Sequence, residues 1–380
     1  MKRIAIFYHT MDVTSSIGRI LTYLARHLST RGYDITVFSK KIQDNENLNF
    51  SVIELPVVKK PLFALFISYH ISSLLAYLWQ RLVKRNKYSV KIGIESTFML
   101  PDICYPHFCH RSYLNNEWKN IAEHIPPWLR ILRFINHWLH SFLEPFVFRR
   151  ARCIVVPSDG LKREIVREYP WTSDKITIIP NFIDWEYMQK PSDFDRAAFR
   201  RKIGLSDTDL VGVFVSLGAF EHKGLPLILQ AVAEMNLQAK VIVVGGNLIG
   251  RWLKLVKRIG IEDKIFFVGL QKDIRPFLWV SDFFIFPSVR ETFPLAVLEA
   301  AAVGMPLIVT PLYGIEEFMK DGEMGYVVSR DVSSIGKALD KLSRLSSAQR
   351  LEMSEKVREA AKRYDFQQFC KLWTNIIENY

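Results

Sequence analysis

Residues 211–246 read VGVFVSLGAFEHKGLPLILQAVAEMNLQAKVIVVGG. The run Val211–Leu217 is apolar and β-branched, which suits a buried strand. Leu225–Met235 carries apolar side chains at helical spacing. Val241–Val244 is a second strand and ends in Gly245-Gly246. A strand, a helix and a strand in succession form a parallel crossover unit. The alternation continues downstream with a helix over Leu248–Ile259 and a strand over Ile265–Val268. A strand at Phe283–Phe286, a helix from about Pro294 to Val303 and a strand at Leu307–Val309 follow. The first half opens in the same way. Ile4–Tyr8 is a strand, Thr14-Ser15-Ser16-Ile17-Gly18 a loop, and a helix then runs to about Ser29. Gly32 ends it, and Ile35–Phe38 is the next strand. Val90–Ile94 and Cys153–Val156 add strands. Trp128–Arg150 is helical in spacing, with a break expected at Pro145. The pattern predicts an α/β chain with two doubly wound parallel sheets. The domains expected are 1–185 and 186–364, with a last helix over 365–380 crossing back to the first domain.

The chain has 380 residues, 49% of them apolar and 24% charged. These are globular values, which exclude a disordered or collagenous chain. Four cysteines, Cys104, Cys109, Cys153 and Cys370, lack zinc or C-x-x-C spacing, which points to a reducing compartment. The apolar start Ile4–Tyr8 is too short for a signal peptide. The net charge is +12, and it is unevenly placed. Residues 1–185 hold 25 basic and 15 acidic side chains, against 26 and 24 in residues 186–380. A cationic first half implies an anionic partner. Nucleic acid is not expected, because no recognition-helix or aromatic RNA-binding pattern is present. Pro61–Gln80 holds no charged residue, so its length alone would allow a membrane span. Its serines, tyrosines, His70 and Gln80 favour a buried helix, or one lying on a bilayer surface near Lys84, Arg85 and Lys87.

Chemistry should sit in loops after the strands. In the second half Glu291 follows the strand Phe283–Phe286, and Glu299 lies eight residues on. Eight helical residues would rise about 12 Å, so the two carboxylates would reach different parts of an extended ligand. The amides of Thr292, Phe293, Pro294 and Leu295 would open the helix toward an anion. Leu217-Gly218-Ala219-Phe220-Glu221-His222-Lys223-Gly224 puts a lysine in the matching loop after Val211–Leu217, well placed for a diphosphate. In the first half, Asp102, Cys104, His107, Cys109 and His110 crowd the loop region after Val90–Ile94. Their spacing is not a zinc pattern, and no bound metal is expected.

These motifs resemble the retaining family-4 glycosyltransferases of the GT-B fold, and within them the lipopolysaccharide-core glucosyltransferases. The resemblance rests on Pro157-Ser158, Ile179-Pro180-Asn181-Phe182-Ile183-Asp184, Lys223-Gly224, Val244-Gly245-Gly246, Phe267-Val268-Gly269, and the Glu291/Glu299 pair ending in Gly304-Met305-Pro306. It spans roughly residues 150–330. It implies two Rossmann-like doubly wound domains facing a cleft. It implies that Lys223 neutralises the donor diphosphate, that Glu291 meets the donor sugar and that Glu299 binds the ribose hydroxyls. Gly218, His222, Gly246 and Val268, with Thr292–Leu295, would complete the donor site. Gly18 stands where the family has a glycine-rich loop, with Arg19 beside it. His107 takes the family's active-site position in the first domain, with Asp102 and His110 as rivals. The family's arginine a few residues before the lysine is missing, and His222 stands in its neighbourhood.

The function expected is transfer, with retention, of a sugar from a nucleotide-sugar, a UDP-sugar first, to a lipid-linked or phosphorylated glycan. That glycan would be lipopolysaccharide core or another cell-surface polysaccharide. No cofactor is expected. The cationic first domain would meet an anionic membrane surface, placing the protein at the cytoplasmic face of the inner membrane. A soluble acceptor, or sugar-nucleotide binding without catalysis, are the alternatives.

Overall fold

Short runs of Val, Ile and Phe become buried parallel strands in the computed structural model of the chain, as expected where both sheet faces are covered. The structure describes residues 2–11, 15–40, 49–119, 126–234, 239–246 and 249–380. Thr14, Met235 and Leu248, expected as loop and helix residues, lie outside them. The chain divides into two units, Met1–Asn181 with Phe369–Tyr380, and Phe182–Gln368. The first boundary therefore falls after Asn181 rather than after residue 185. Asn181 accepts the Tyr105 phenol at 3.2 Å within the first unit. The Ile183 N–H instead donates to the Tyr364 carbonyl at 2.8 Å, and the Phe182 ring lies 4.8 Å from that of Phe366. The second boundary falls after Gln368 rather than after residue 364.

In the first unit the strands are β1 (Arg3–Phe7), β2 (Asp34–Ser39), β3 (Ser51–Glu54), β4 (Val90–Ile94), β5 (Ile103–Tyr105), β6 (Cys153–Val156) and β7 (Ile176–Ile178). All pair in parallel in the order β3-β2-β1-β4-β5-β6-β7. The described helices here are α1 (Ser16–Thr30), α2 (Leu62–Leu82), α3 (His110–Asn116), α4 (Pro127–Arg150) and α5 (Asp159–Glu168). Ser15 caps α1 and Ser158 caps α5, each hydroxyl accepting a backbone N–H three residues on, which satisfies an otherwise orphan donor.

The second unit carries short helices α6 (Trp185–Met188) and α7 (Arg196–Lys202). The alternation β8 (Val211–Val215), α8 (Leu225–Glu234), β9 (Lys240–Val244), α9 (Gly250–Arg258), β10 (Ile265–Gly269), α10 (Arg275–Val280), β11 (Phe283–Phe286), α11 (Leu295–Ala302), β12 (Leu307–Val309), β13 (Gly325–Val327) and α12 (Val332–Ser343) follows. The parallel strand order is β10-β9-β8-β11-β12-β13. Helix α13 (Ser347–Lys362) begins at a capping box between Ser346 and Gln349. Helix α14 (Phe366–Glu378) ends the chain. One apolar core fills the second unit, built on the strand residues from Val211 to Val309. In the first unit separate clusters lie under Phe7, Phe38 and Tyr69, and under Val147, Ile154 and Leu161.

Each sheet reverses strand order once, at β1/β4 and at β8/β11. Ligands of such sheets bind outside the carboxyl ends at that reversal, so the topology names two places to look.

Three local expectations need correction. Helix α4 runs unbroken through Pro145. Packing on both sides of the proline, through Ser141, Glu144, Val147 and Phe148, holds the helix despite the missing donor. Ser16, Ile17 and Gly18 belong to the first turn of α1, not to a loop before it. Only the last residue of Thr292–Leu295 is helical, since α11 starts at Leu295. Glu291 lies in the loop and Glu299 on the helix, as expected, but fewer than eight helical residues separate them.

Candidate active site

At the β8/β11 reversal the loop 216–224 is shaped by two close approaches. Gly245 has φ +108°, and a Cβ there would fall 1.9 Å from the Ser216 carbonyl oxygen. Gly224 has φ +86°, and a Cβ there would fall 2.3 Å from the Pro287 carbonyl oxygen. Both positions need glycine, because the left-handed conformation and the contact each exclude a side chain. This brings the loop after β8 against the loop after β11. The Val289 N–H donates to the His222 carbonyl at 2.9 Å. Across that seam the Lys223 ammonium pairs with Glu291 Oε1. Ser288 Oγ donates to the same oxygen at 2.9 Å, and Thr310 Oγ1 holds the Ser288 carbonyl at 2.6 Å. The Lys223 ammonium also lies 5.5 Å from the Phe286 ring centroid. A cation and a carboxylate held in this way can meet a phosphate and a hydroxyl side by side.

The other donor-site candidates separate into two groups. Glu299 is 6% exposed on α11, and Pro294, the N-cap of that helix, offers no side-chain bond to its first turn. Gly218 has open space around it and shares hydrogen bonds with Ser216. The Val268 carbonyl accepts from the Gln271 amide at 2.5 Å. Thr292 is half-buried beside Glu291. Phe293 and Leu295 are buried. The Phe293 ring packs 5.3 Å from that of Tyr364, so it serves the core. Gly246 abuts the Phe220 ring. Pro294 contributes no N–H, so the expected amide run is interrupted there.

Arg330, after β13, was passed over in the sequence. Its guanidinium donates to the Glu221 carbonyl at 2.8 Å, bringing a cation to the same loop. Burial lowers its pKa from the usual arginine value. The Glu221 carboxylate is instead engaged by Arg251. Sequence separation hid Arg330, since 109 residues part it from its partner.

The first unit gathers a second group at β1/β4 and the neighbouring β5. His9 follows β1, Glu95 follows β4, and His107 follows β5. Glu95 has φ +53°, a left-handed position unusual for a side-chain-bearing residue and typical of functional turns. Burial lowers His107 to about 4, with the Glu95 carboxylate pulling back only part of that shift. Its ring lies 4.2 Å from the Tyr105 ring. His110 Nε2 is 3.8 Å from Glu95 Oε2. The His110 ring stacks on that of His140 at 4.0 Å and 5°, and its Nδ1 meets His137 Nδ1 at 3.0 Å. Glu144 accepts the His110 N–H at 2.5 Å, the Arg111 N–H at 3.2 Å and the Tyr169 hydroxyl at 2.8 Å. It thereby caps α3 and holds its start in place.

Asp102 does not join this group. It stands before β5, at the amino end, paired with Lys91 and accepting the Lys91 N–H at 2.9 Å. Among the described residues, Cys104, His107, Cys109 and His110 form no metal-ligand set. The side chains that do converge are Glu95, His110 and His140, within 4.8 Å of one another. Their two rings are stacked nearly parallel, so in-plane lone pairs cannot both aim at one ion. Gly18 spends its N–H on Ser15 Oγ at 3.1 Å, so that amide is not offered to a ligand. Glu95 and His140 had escaped the sequence reading. The only sequence signal for Glu95 is its place directly after a central strand.

Known proteins resemble the chain along most of its length. Residues 17–187 match the family model described as Glycosyltransferase Family 4, and residues 211–344 the model described as Glycosyl transferases group 1. The N-acetyl-alpha-D-glucosaminyl L-malate synthase of Bacillus anthracis is 30% identical over 190 residues, covering 49% of this chain and 48% of that protein. The lipopolysaccharide core biosynthesis glycosyltransferase LpsE of Rhizobium meliloti is 28% identical over 205 residues, covering 51% and 55%. The chain thus spans about half the length of the curated relatives it matches. HepE of Anabaena, solved in complex with UDP-glucose, shares the fold over 100% of both chains, with a TM-score of 0.74 and 15% identity.

Proposed function

The chain belongs to the family-4 glycosyltransferases, built on the two Rossmann-like domains of the GT-B fold; from that premise we propose that it moves a sugar from a UDP-sugar to a lipid-linked glycan, with retention. The glycan is of the lipopolysaccharide-core or cell-surface polysaccharide class, met at the cytoplasmic face of the inner membrane. The observation that carries the reading is the Lys223–Glu291 pair across the β8/β11 reversal, with Glu299 buried on the helix that follows.

Each residue then has a distinct task. Lys223 offsets the charge that grows on the departing diphosphate, a role that needs no bound metal. Glu291 takes the donor sugar, with Ser288 holding its carboxylate. Glu299 accepts the ribose diol, a geometry suited to a carboxylate. The acceptor hydroxyl attacks on the face the diphosphate leaves, and a leaving phosphate oxygen takes its proton. His107, neutral at pH 7, would act as a hydrogen-bonding group rather than a charge. LpsE supports the lipopolysaccharide assignment, and HepE with UDP-glucose supports the base. The L-malate synthase relative favours a second reading, a small soluble acceptor.

A thermal-shift screen against UDP-, GDP- and ADP-sugars tests the donor, with stabilisation by UDP-sugars expected. Donor turnover should drop at least roughly a hundredfold in Lys223→Ala and in Glu291→Ala, the scale of losing one transition-state contact. Folded variants that turn over donor at the wild-type rate would refute the assignment.

A further inference from the structure

Two neighbouring helices of the first unit leave their outer faces bare. On α2, Leu62, Ile67, Ile71, Leu75, Trp79 and Leu82 are exposed. On α4, Trp128, Ile131, Phe134, Trp138, Phe142 and Phe146 are exposed. Both sets recur mostly every three to four residues, so each forms a stripe along one face. The Trp138, Phe142 and Phe146 rings follow one another at 5.8 and 5.7 Å. The helices pack side by side, with the Phe66 ring 4.0 Å from that of His140. The stripes therefore lie on adjoining elements, and an apolar surface of this kind marks an interaction site.

The opposite faces are committed to the core. The Tyr69 hydroxyl donates to the Phe38 carbonyl at 2.7 Å, and the Tyr77 ring packs edge-on to Phe7. On α4, His140 and Glu144 are buried. Helix α2 is long and apolar enough to cross a membrane, yet crossing would strip these contacts from the sheet.

Charge selects the occupant. From Leu55 to Ile94 there is no Asp or Glu, while Lys59, Lys60, Arg81, Lys84, Arg85 and Lys87 are exposed. The sole acid of α4 is the buried Glu144, whereas Arg133, Arg149 and Arg150 are exposed. A second copy would bring two cationic rims together. An anionic bilayer complements both the rim and the apolar stripes.

We propose that the α2/α4 face seats in an anionic lipid bilayer, both helices lying at the surface and neither crossing it. Tryptophans at the stripe suit the headgroup boundary. The proposal rests on the lipid-linked acceptor reading for its purpose, and it names the surface that such an acceptor requires.

Flotation of the full chain with vesicles tests it, using phosphatidylcholine alone and an equal mixture with phosphatidylglycerol. Wild type should float with the mixed vesicles and be released by high salt. A Lys84→Gln/Arg85→Gln/Arg149→Gln/Arg150→Gln variant should partition at least roughly tenfold less. An Ile71→Ser/Leu75→Ser/Phe142→Ser variant should lose binding as well. Because all seven side chains are exposed, both variants should keep the wild-type melting temperature and the wild-type rate of donor turnover in the absence of lipid. Glu291→Ala should lose turnover and still float, which separates this inference from the transferase reading. Wild type that stays unbound with either vesicle, or variants that float as well as wild type, would overturn the proposal. So would a wild-type dimer that the serine variant dissolves without any change in flotation.

Discussion

Glu144 meets three neutral donors with two oxygens, and five imidazoles of the same unit are held neutral by burial. Burial lowers His9, His70, His107 and His137 to about 4, and holds His140 well below its usual value. Each is neutral in the fold and titrates near 6.5 once unfolded. Between pH 6.5 and 4 the unfolded chain binds more protons, so stability falls as the pH falls. Glu144 and Glu164 act in the opposite sense. Burial raises both to about 7, so their contribution is full below about 4.5 and is lost as the pH rises through 7. Five rings outnumber two carboxyls. Hydrogen exchange followed unit by unit should therefore show the first unit, not the second, loosening on acidification from pH 7 to 5. Equal protection of the first unit at both values would contradict the assignment. Composition could count these histidines but could not bury them. Lys223 and Glu291, by contrast, were legible, because each follows a strand of one sheet and the fold brings such loops together.

Among the elements, the 216–224 loop shows how glycine spacing becomes geometry. Gly245 lies directly after β9, where the loop after β8 passes close to it. Gly245→Ala would press a methyl into the Ser216 carbonyl. The loop must then shift, and the pairing of Lys223 with Glu291 with it. A loss of stability above about 1 kcal/mol is expected from the strained φ alone, together with weaker donor stabilisation in a thermal shift. An alanine variant with unchanged melting and donor response would show that the seam tolerates displacement. Helix α4 carries the complementary lesson. Pro145 argued locally for a break, and the packing of Ser141, Glu144, Val147 and Phe148 overrode it. Helix α11 begins at Leu295 with Pro294 as its N-cap, matching the start expected at about Pro294.

At the scale of the whole molecule, the end of the chain completes its beginning. Trp373 and Ile377 on α14 are fully buried, and the Trp373 ring packs 5.0 Å from that of Tyr105. The Lys2 ammonium donates to the Ile377 carbonyl at 3.2 Å, and the Tyr380 hydroxyl to the Asp102 carbonyl at 3.2 Å. Deleting residues 366–380 should expose the Tyr105–His107 region. Removing a buried tryptophan alone costs about 3–5 kcal/mol, so the truncated chain should melt earlier in its first unit or aggregate. A truncated chain with first-unit hydrogen exchange like that of wild type would sink this expectation.

The sequence by itself determined the two α/β units, the placement of Lys223 and Glu291 in loops after strands of one sheet, and the concentration of positive charge in the first half. Those properties are local: they follow from side-chain period, from glycine after strands and from counting. The tertiary structure alone decided that Asp102 stands at the wrong end of its strand. It alone brought Glu95 to His110 and Arg330 to Glu221, and it alone left the outer stripes of α2 and α4 uncovered. Such facts depend on which residues distant in the chain meet in space. An apolar helix reads the same in sequence whether one face or both are covered by protein.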